Sequence, residues 1–418
     1  MTRPKTPRRQ EMAYEEVKAS INAAVTASKT VRHLDCATRD HALRTAAGTV
    51  RDRASELLEA NALDLEGIRE FNYSEGQIER LRLTEQRIEL LADELDRVAG
   101  LADPLGELTR GGDHGPLHVT RIPIGVIGAV YEAQPSVMVE TLAPALKAGN
   151  AVLLRGAVSA GNTDTALVGI LSDAMEAAGL PAETVQLLPV KERSSTRHLV
   201  TARKLVGLVL LRGGAGMVRA VLTEATVPVV EVGPGICHLY VDAAADLELA
   251  TELVLESKAS PTVPNAVQTV LVHADVAQRF VPAVISALVE RHVTVHGDPR
   301  VCEMVRDVLP ADNADWKTEY VGWDIAIGLV DTFDDALEHI NSCGTGHSEV
   351  VVTRDRKVAN TFVDEVDAAV VRVNASTLGA TDPAGWDAGP LLSTQKLHAR
   401  GPIEPIAFTT TKWITWKL

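Results

Sequence analysis

A glycine-rich segment, Arg212–Gly216, follows a predicted strand and opens a predicted helix. Glycines at such a turn let backbone N–H groups and the helix N-terminus approach a phosphate closely. A tight strand-to-helix turn without a ligand explains the same glycines, and the dinucleotide fingerprint G-x-G-x-x-G is absent from the chain. The segment is therefore a candidate phosphate site, and both interpretations stay open.

Acidic and imidazole side chains supply candidates for proton transfer. Glu231 ends a predicted strand just before Gly233–Gly235, and ligands of α/β sheets gather beyond strand ends, which makes it a candidate general base. A structural loop acid is the alternative. His238 and His347 are either catalytic or ordinary buried imidazoles, and the histidines show no metal-ligand spacing, so no metal site is predicted.

Charge and cysteine usage narrow the class of protein. The 418 residues carry a net charge of −15, which argues against general nucleic-acid binding and against docking on anionic lipid. The four cysteines are widely spaced, without a C-x-x-C pair. We therefore expect neither a disulfide framework nor a zinc site. No secretory signal and no apolar run of about 20 residues is found, so a cytoplasmic protein is expected.

The order of predicted elements indicates an α/β protein. Residues 11–100 show helical spacing of apolar residues, and residues 118–124 alternate as a strand does. From Ile124 onward short β-branched runs alternate with helices, which implies parallel pairing in a doubly wound sheet. A second series begins near Leu239, so we expect two α/β domains in tandem.

Several segments, read in chain order, carry a resemblance to a known family. They are Ile124–Glu132, Leu146–Gly156, Arg212–Gly216, Ala225–Glu231, Cys237–Asp242, Gly344–Glu349, Val373–Thr377 and, most specifically, Ser393–Pro402. Together they resemble the gamma-glutamyl phosphate reductases, also called glutamate-5-semialdehyde dehydrogenases, of the aldehyde dehydrogenase superfamily. The resemblance covers nearly the whole chain.

The resemblance implies an aldehyde dehydrogenase-like fold with two doubly wound α/β domains and a bridging β-flap that makes dimers. Residues 1–236 would form the N-terminal helices and the dinucleotide-binding domain, with a flap strand at 108–122. Residues 237–392 would form the catalytic-type domain, and 393–418 would return to the flap. The implied reaction is NADPH-dependent reduction of L-glutamyl 5-phosphate in proline biosynthesis.

The family's cysteine thiolate attacks the acyl phosphate, and hydride then reduces the thioester. In the matching segment, Pro264 occupies the cysteine position and Gln268 replaces a glutamate. Proline offers no nucleophile, no acid or base and no backbone N–H. The thiol-dependent step is therefore predicted to be lost, unless Thr262 or Cys343 substitutes as nucleophile.

Other polar positions depart from the family pattern. Gln134 and Ser136 replace an arginine and an asparagine, and Ile236 replaces an asparagine. The segment Leu378–Trp386 replaces a glycine-rich stretch with Arg-Phe, which puts recognition of the glutamyl group in doubt. The cofactor side is better kept.

The resemblance transfers the following site residues onto this sequence. The catalytic positions are Pro264, Glu231, Asn265 and His347. The NADP(H)-binding positions are Arg155, Gly156, Arg212, Gly213, Gly214, Gly216 and Glu319. The substrate-binding positions are Glu132, Gln134, Ser136, Asn374 and Ser376.

Three functions are compatible with these residues. The first is a non-catalytic homologue that binds a partner such as a glutamate kinase or an active paralogue, as a homodimer or higher homo-oligomer. The second is a transferase that passes a glutamyl-type acyl group from an acyl phosphate to an external nucleophile without hydride transfer. The third is an active reductase with a substitute nucleophile.

Overall fold

The computed structural model describes residues 7–106, 108–110, 117–189, 194–379 and 391–415. These residues form two compact units: 7–74, 78–232 and 403–415 belong to the first, and 75–77 and 233–402 to the second. The boundary predicted at residue 236 lies just beyond the first division. The predicted return segment 393–418 is split, because residues 393–402 belong to the second unit.

The N-terminal third is helical, as its apolar spacing predicts. Its helices are α1 (Pro7–Val31), α2 (Cys36–Asp52), α3 (Ala54–Gly67), α4 (Glu75–Leu81) and α5 (Glu85–Ala99). Asp35 and Thr84 cap α2 and α5, because their side chains accept from the backbone N–H of Thr38 and Arg87. Each cap satisfies an N–H group that has no partner inside its helix.

Strands and helices then alternate through the first unit. The strands are β1 (Leu108–Arg110), β2 (Leu117–Pro123), β3 (Val126–Tyr131), β4 (Ala151–Arg155), β5 (Val185–Leu187), β6 (Leu208–Arg212) and β7 (Val229–Val232). The helices are α6 (Ser136–Lys147), α7 (Gly161–Ala177), α8 (Ser194–Thr201) and α9 (Ala215–Glu224). Gly149, at φ +78°, follows the end of α6, where the sequence predicted a helix stop.

Five of these strands form a fully parallel sheet in the order β5-β4-β3-β6-β7. The chain moves outward from β3 in one direction through β4 and β5, and in the other through β6 and β7. The strand order therefore reverses between β3 and β6, and parallel α/β sheets bind ligands beyond the carboxyl ends at such a switch point.

The second unit contains a seven-stranded parallel sheet. Its strands are β8 (Cys237–Val241), β9 (Val267–His273), β10 (Thr294–Gly297), β11 (Leu309–Pro310), β12 (Asp324–Val330), β13 (Ser348–Val352) and β14 (Val370–Val373). The sheet order is β11-β10-β12-β9-β8-β13-β14. Two parallel sheets in an α/β chain confirm the predicted fold class.

Helices cover this sheet, and a short hairpin follows it. The helices are α10 (Leu247–Ser257), α11 (Ala274–Glu290), α12 (Pro299–Met304), α13 (Phe333–Cys343) and α14 (Arg356–Glu365). The paired strands of the hairpin are β15 (Leu392–Ser393) and β16 (Gly401–Pro402). Aliphatic side chains such as Val254, Val270 and Val284 build the core, as the low aromatic content predicts.

A three-stranded antiparallel sheet belongs to the first unit. Strand β17 (Thr409–Thr415) pairs with β2 along seven residues, and β1 pairs with the other edge of β2. The predicted flap strand 108–122 is thus two strands, with residues 107 and 111–116 outside the described residues. Within the described part of the chain, no helix is long and apolar enough to span a bilayer.

Candidate functional site

The switch point of the first sheet gathers many of the predicted residues. Strand β3 ends at Tyr131, directly before Glu132, and β6 ends at Arg212, directly before Gly213. The backbone N–H of Glu132 donates to the carbonyl of Arg212 at 3.0 Å. Local β-branched patterns produce each strand, and the parallel register then places the two strand ends side by side.

An internal carboxylate occupies the glycine-rich turn. Glu132 Oε2 accepts from the backbone N–H of Gly214 at 3.1 Å, in front of α9. A Cβ atom at Gly213 would lie 2.4 Å from Met217 Cε and 2.9 Å from Glu132 Cδ, so a larger residue there would require these two flexible side chains to move. A Cβ atom at Gly216 would meet nothing within 4 Å, so that side is open. The turn therefore accepts an anionic oxygen.

Three polar side chains extend this cluster. Gln134 Nε2 donates to Ser136 Oγ at 3.2 Å, and Arg212 Nη2 lies 3.5 Å from Gln134 Oε1. Glu140, in α6, is buried, and burial raises its pKa to about 7, against the opposing effects of Arg212 and Ser136. The sequence missed Glu140, because an acid inside a helical pattern normally faces solvent.

Arg155 and Gly156 lie at the carboxyl end of β4, over a second buried acid. Tyr131 donates its hydroxyl to Asp164 Oδ2 at 3.1 Å, while Asp164 Oδ1 is buried without a hydrogen-bond partner. Burial raises the pKa of Asp164 to about 8. A Cβ atom at Gly156 would lie 1.8 Å from Asp164 Oδ2, so this glycine is required by close approach.

The second unit places Pro264 in a tight backbone environment. Pro264 is buried in the turn that leads into β9, and its carbonyl accepts from Cys237 Sγ at 3.4 Å. A Cβ atom at Gly235 would lie 1.6 Å from the Pro264 oxygen, so the two backbones touch. The position holds a closed turn with no reactive side chain.

His347 lies beside the same turn. Its Nδ1 is 3.6 Å from Cys237 Sγ and 3.0 Å from Ser348 Oγ. Both Cys237 and His347 are buried, and burial raises the pKa of the Cys237 thiol well above its ordinary value, with Glu349 adding to the effect. A buried thiol with a raised pKa is a poor nucleophile.

The second unit also contains a buried lysine, Lys258, directly after α10. Lys258 Nζ donates to the carbonyl of Val267 at 3.1 Å and lies 3.5 Å from Gln268 Oε1. Burial lowers its pKa to about 8, although Asp324 and Glu319 act in the opposite direction. The charge of Glu319, a predicted cofactor residue, thus favours the protonated form of the Lys258 amine. The neutral amide of Gln268 provides no counter-charge to that amine. No spacing in the sequence marks Lys258.

Two predicted substrate-binding side chains are used inside the fold. Asn374, at φ +52°, accepts from Thr353 N–H and donates to Thr353 C=O, both at 2.9 Å. Ser376 is buried, with its Oγ 3.3 Å from Ser257 Oγ. These bonds link the segment after β14 to Thr353 and to Ser257 at the end of α10, and Asn374 itself remains exposed. Their assignment as substrate contacts stays a prediction.

The remaining predicted residues are placed as follows. Asn265 is half-buried and its Nδ2 donates to the carbonyls of Thr377 and Leu378 at 3.2 and 3.4 Å. Glu231 is half-buried on the edge strand β7. Most of the departing segment 378–386 lies outside the described residues, from 380 onward. In the described ranges, no three His, Cys, Asp or Glu side chains form a metal-binding group.

Comparison with known proteins defines the class of the chain. The sequence profile of the aldehyde dehydrogenase family matches residues 3–305 and 301–388. An acetylating aldehyde dehydrogenase from Geobacillus thermoglucosidasius shares the fold at TM-score 0.76 and 18% identity, covering 97% of each chain. The predicted aldehyde dehydrogenase-like fold is confirmed.

More similar relatives narrow the assignment. The gamma-glutamyl phosphate reductase of Thermobifida fusca (strain YX) is 44% identical over 382 residues, which is 90% of this chain and 91% of the relative. The crystal structure of gamma-glutamyl phosphate reductase from Thermotoga maritima superposes with a TM-score of 0.84 at 37% identity, covering 96% of this chain and 99% of the other. The chain belongs to the gamma-glutamyl phosphate reductases within the aldehyde dehydrogenase family.

Proposed function

We propose that the protein is a gamma-glutamyl phosphate reductase homologue that keeps ligand-binding sites of the family but does not carry out the thiol-dependent reduction. The observation that carries this proposal is Pro264, buried in a closed turn where the family resemblance places the nucleophile. A proline there can neither accept an acyl group nor donate an N–H to an oxyanion.

Two thiols of the second unit, those of Cys237 and Cys343, are poor replacements for the missing one. Cys237 contacts the Pro264 carbonyl, but it is fully buried and its pKa is raised. Cys343 is half-buried at the end of α13 and contacts Ser342 Oγ at 3.6 Å. Thr262 carries a hydroxyl, which requires an adjacent base to react and would form an ester that accepts hydride less well than a thioester.

The first unit fits a dinucleotide cofactor. The N–H of Gly214 holds an anionic oxygen at the N-terminus of α9, the side over Gly216 is open, and Arg155 is the last residue of strand β4. Backbone N–H groups at a switch point bind pyrophosphate in this fold class. NADP(H) is the proposed cofactor, and when bound it would supply the hydride of the family reaction. Here Arg155 would orient the nucleotide, and a phosphate would displace Glu132 from Gly214.

An assay with glutamyl phosphate generated in place tests the proposal. Glutamate, ATP and a glutamate kinase are supplied with NADPH, and NADPH absorbance and phosphate release are followed together. We expect no NADPH oxidation and no phosphate release above the kinase control. NADPH oxidation that Thr262→Ala or Cys343→Ser abolishes would instead establish a substitute nucleophile.

The same assay distinguishes a transferase from a non-catalytic homologue and from an active reductase. If an added amine accelerates phosphate release while NADPH absorbance stays constant, the protein transfers the acyl group to external acceptors. Binding of NADPH is measured independently by its fluorescence, with Arg155→Ala expected to weaken it and exposed Arg354→Ala, which pairs with Asp246, as the matched control.

We also propose that the protein forms homodimers through β17. A glutamate kinase or an active paralogue is a separate candidate partner. Among the described strands, β17 pairs only with β2, so its other edge is open to a second chain. Trp413 on this strand is 57% exposed. Trp413→Arg should shift the mass measured by analytical ultracentrifugation toward the monomer. An unchanged mass would remove this interface.

A further inference from the structure

A polar pocket of about 340 Å³ lies entirely within the second unit. Its wall includes the end of α13, the loop Gly344–Gly346, the start of β13, and the loop 394–400 before β16. Asn341 fixes one side, because its Oδ1 accepts from Asp367 N–H and its Nδ2 donates to the carbonyl of Glu365, both at 3.3 Å. Ligand pockets of small molecules have this size.

Glu349 supplies a carboxylate to this pocket. The residue is 1% exposed, and its Oε2 accepts from the backbone N–H of His238 at 2.8 Å and lies 3.0 Å from His238 Nδ1. Its Oε1 is buried without a hydrogen-bond partner. A Cβ atom at Gly344, another wall residue, would lie 2.9 Å from Oε1. A buried carboxylate oxygen in this position calls for a hydrogen-bond donor.

The opposite charge is provided by two cations of the pocket wall. Lys396 Nζ lies 2.6 Å from Asp367 Oδ2, and Arg400 Nη2 lies 2.7 Å from Asp367 Oδ1. The Asp367 carboxylate thus bridges the two cations from an exposed position, with about half of its side chain open to solvent. An incoming carboxylate can take the place of Asp367 on this pair of donors.

We propose that this pocket binds a free α-amino acid as its zwitterion, with the ammonium group on Glu349 Oε1 and the carboxylate on Lys396 and Arg400. An ammonium provides both the N–H donor that the buried oxygen lacks and a compensating charge. A simple anion leaves Glu349 unsatisfied, and a simple amine leaves the two cations with Asp367. This binding site does not depend on whether the reductase step is lost.

Isothermal titration calorimetry with a matched set of five-membered rings tests the proposal. L-proline carries both charges, cyclopentanecarboxylate lacks the ammonium, pyrrolidine lacks the carboxylate, and the N,N-dimethyl betaine of proline keeps both charges but has no N–H. L-proline, with L-alanine as a second zwitterion, is expected to bind at least about tenfold more tightly than each analogue. Equal binding of the betaine, or no binding of either amino acid, would overturn the proposal.

Variants locate the site. Lys396→Ala, at an exposed side chain, should weaken L-proline binding about fivefold or more, whereas Asp367→Ala should strengthen it because the competing carboxylate is removed. Glu349→Gln should reduce the preference for the ammonium. Arg354→Ala, which removes an exposed cation paired with Asp246, is the matched control. Unchanged affinity in Lys396→Ala and Asp367→Ala would place the amino acid elsewhere and contradict this assignment.

Discussion

Asp164 is a buried acid whose protonation depends on the fold. It is fully buried, Tyr131 donates to one of its oxygens, and its other oxygen has no hydrogen-bond partner. Its pKa rises from 3.8 to about 8 because burial penalises the charged form. The sequence could not indicate this, since the burial comes from strand ends far along the chain.

Asp164→Asn is therefore expected to stabilise the protein at pH 8. Between about pH 4 and pH 8 the folded state holds a proton that the unfolded state releases, so Asp164 makes stability fall as pH rises. The neutral amide removes this loss, by on the order of 2–4 kcal/mol at pH 8 and by much less at pH 5. Thermal unfolding at both pH values measures it. An equal change at both pH values would contradict the assigned cause.

Cysteine reactivity provides a second test at the residue scale. Cys237 is buried with a raised pKa, while Cys36, Cys302 and Cys343 are each partly exposed. A thiol reagent should modify the partly exposed cysteines of the native protein and reach Cys237 only after unfolding. Peptide mass mapping reads out the order. Rapid labelling of Cys237 in the native state would contradict its assignment as an unreactive thiol.

At the scale of elements, most of the fold could be predicted from local patterns. The helix spacing of residues 11–100 and the β-branched runs from Ile124 onward became helices and strands near the predicted positions. The periodicity of apolar residues depends only on neighbouring positions, so it predicts helices and strands without knowledge of the tertiary structure. The hydrogen-bond partners of a side chain, in contrast, cannot be identified from neighbouring residues. Asn374 has a left-handed φ and bonds to Thr353, 21 residues earlier.

For the same reason, the arrangement of the candidate site could be predicted better in the first unit than in the second. Glu132, Gln134, Ser136 and Arg212 meet at one strand edge, because parallel pairing of β3 and β6 brings their ends together. The strand-end argument from the sequence applied to Glu231, whereas Pro264 and Asn265 were assigned from the family motif. In the second unit, the turn with Pro264 instead precedes the amino end of β9, and no local pattern distinguishes those ends.

Helix α7 depends on a cap from another helix. Asp64, in α3, accepts from the backbone N–H groups of Asn162 and Thr163 at 3.1 and 2.8 Å, and from both of their side chains. The carboxylate satisfies free N–H groups and complements the positive end of the helix dipole.

Asp64→Ala should lower the free energy of unfolding by about 2–4 kcal/mol, because it leaves several buried donors without a partner. The exposed pair of Arg53 and Asp173 offers a control, and Asp173→Ala should cost less than about 1 kcal/mol. Urea unfolding of both variants measures the difference. Similar losses in the two variants would show that Asp64 is not a cap of this importance.

At the scale of the whole molecule, two parallel sheets carry different parts of the proposed chemistry. The first unit keeps an anion-accepting turn at its switch point, and the second has a closed turn at the position of the family's nucleophile. Membership of the reductase family and absence of a thiol at position 264 therefore stand together in one chain. Binding and reduction are expected to be separable.

Intact-protein mass spectrometry after exposure to glutamyl phosphate without NADPH tests this claim most directly. Wild-type protein and Pro264→Cys are compared, with Cys237→Ser in both backgrounds to exclude the neighbouring thiol. We predict a glutamyl adduct on the Pro264→Cys protein, mapped to residue 264, and no adduct on the wild type. A covalent glutamyl adduct on the wild-type chain would contradict the account.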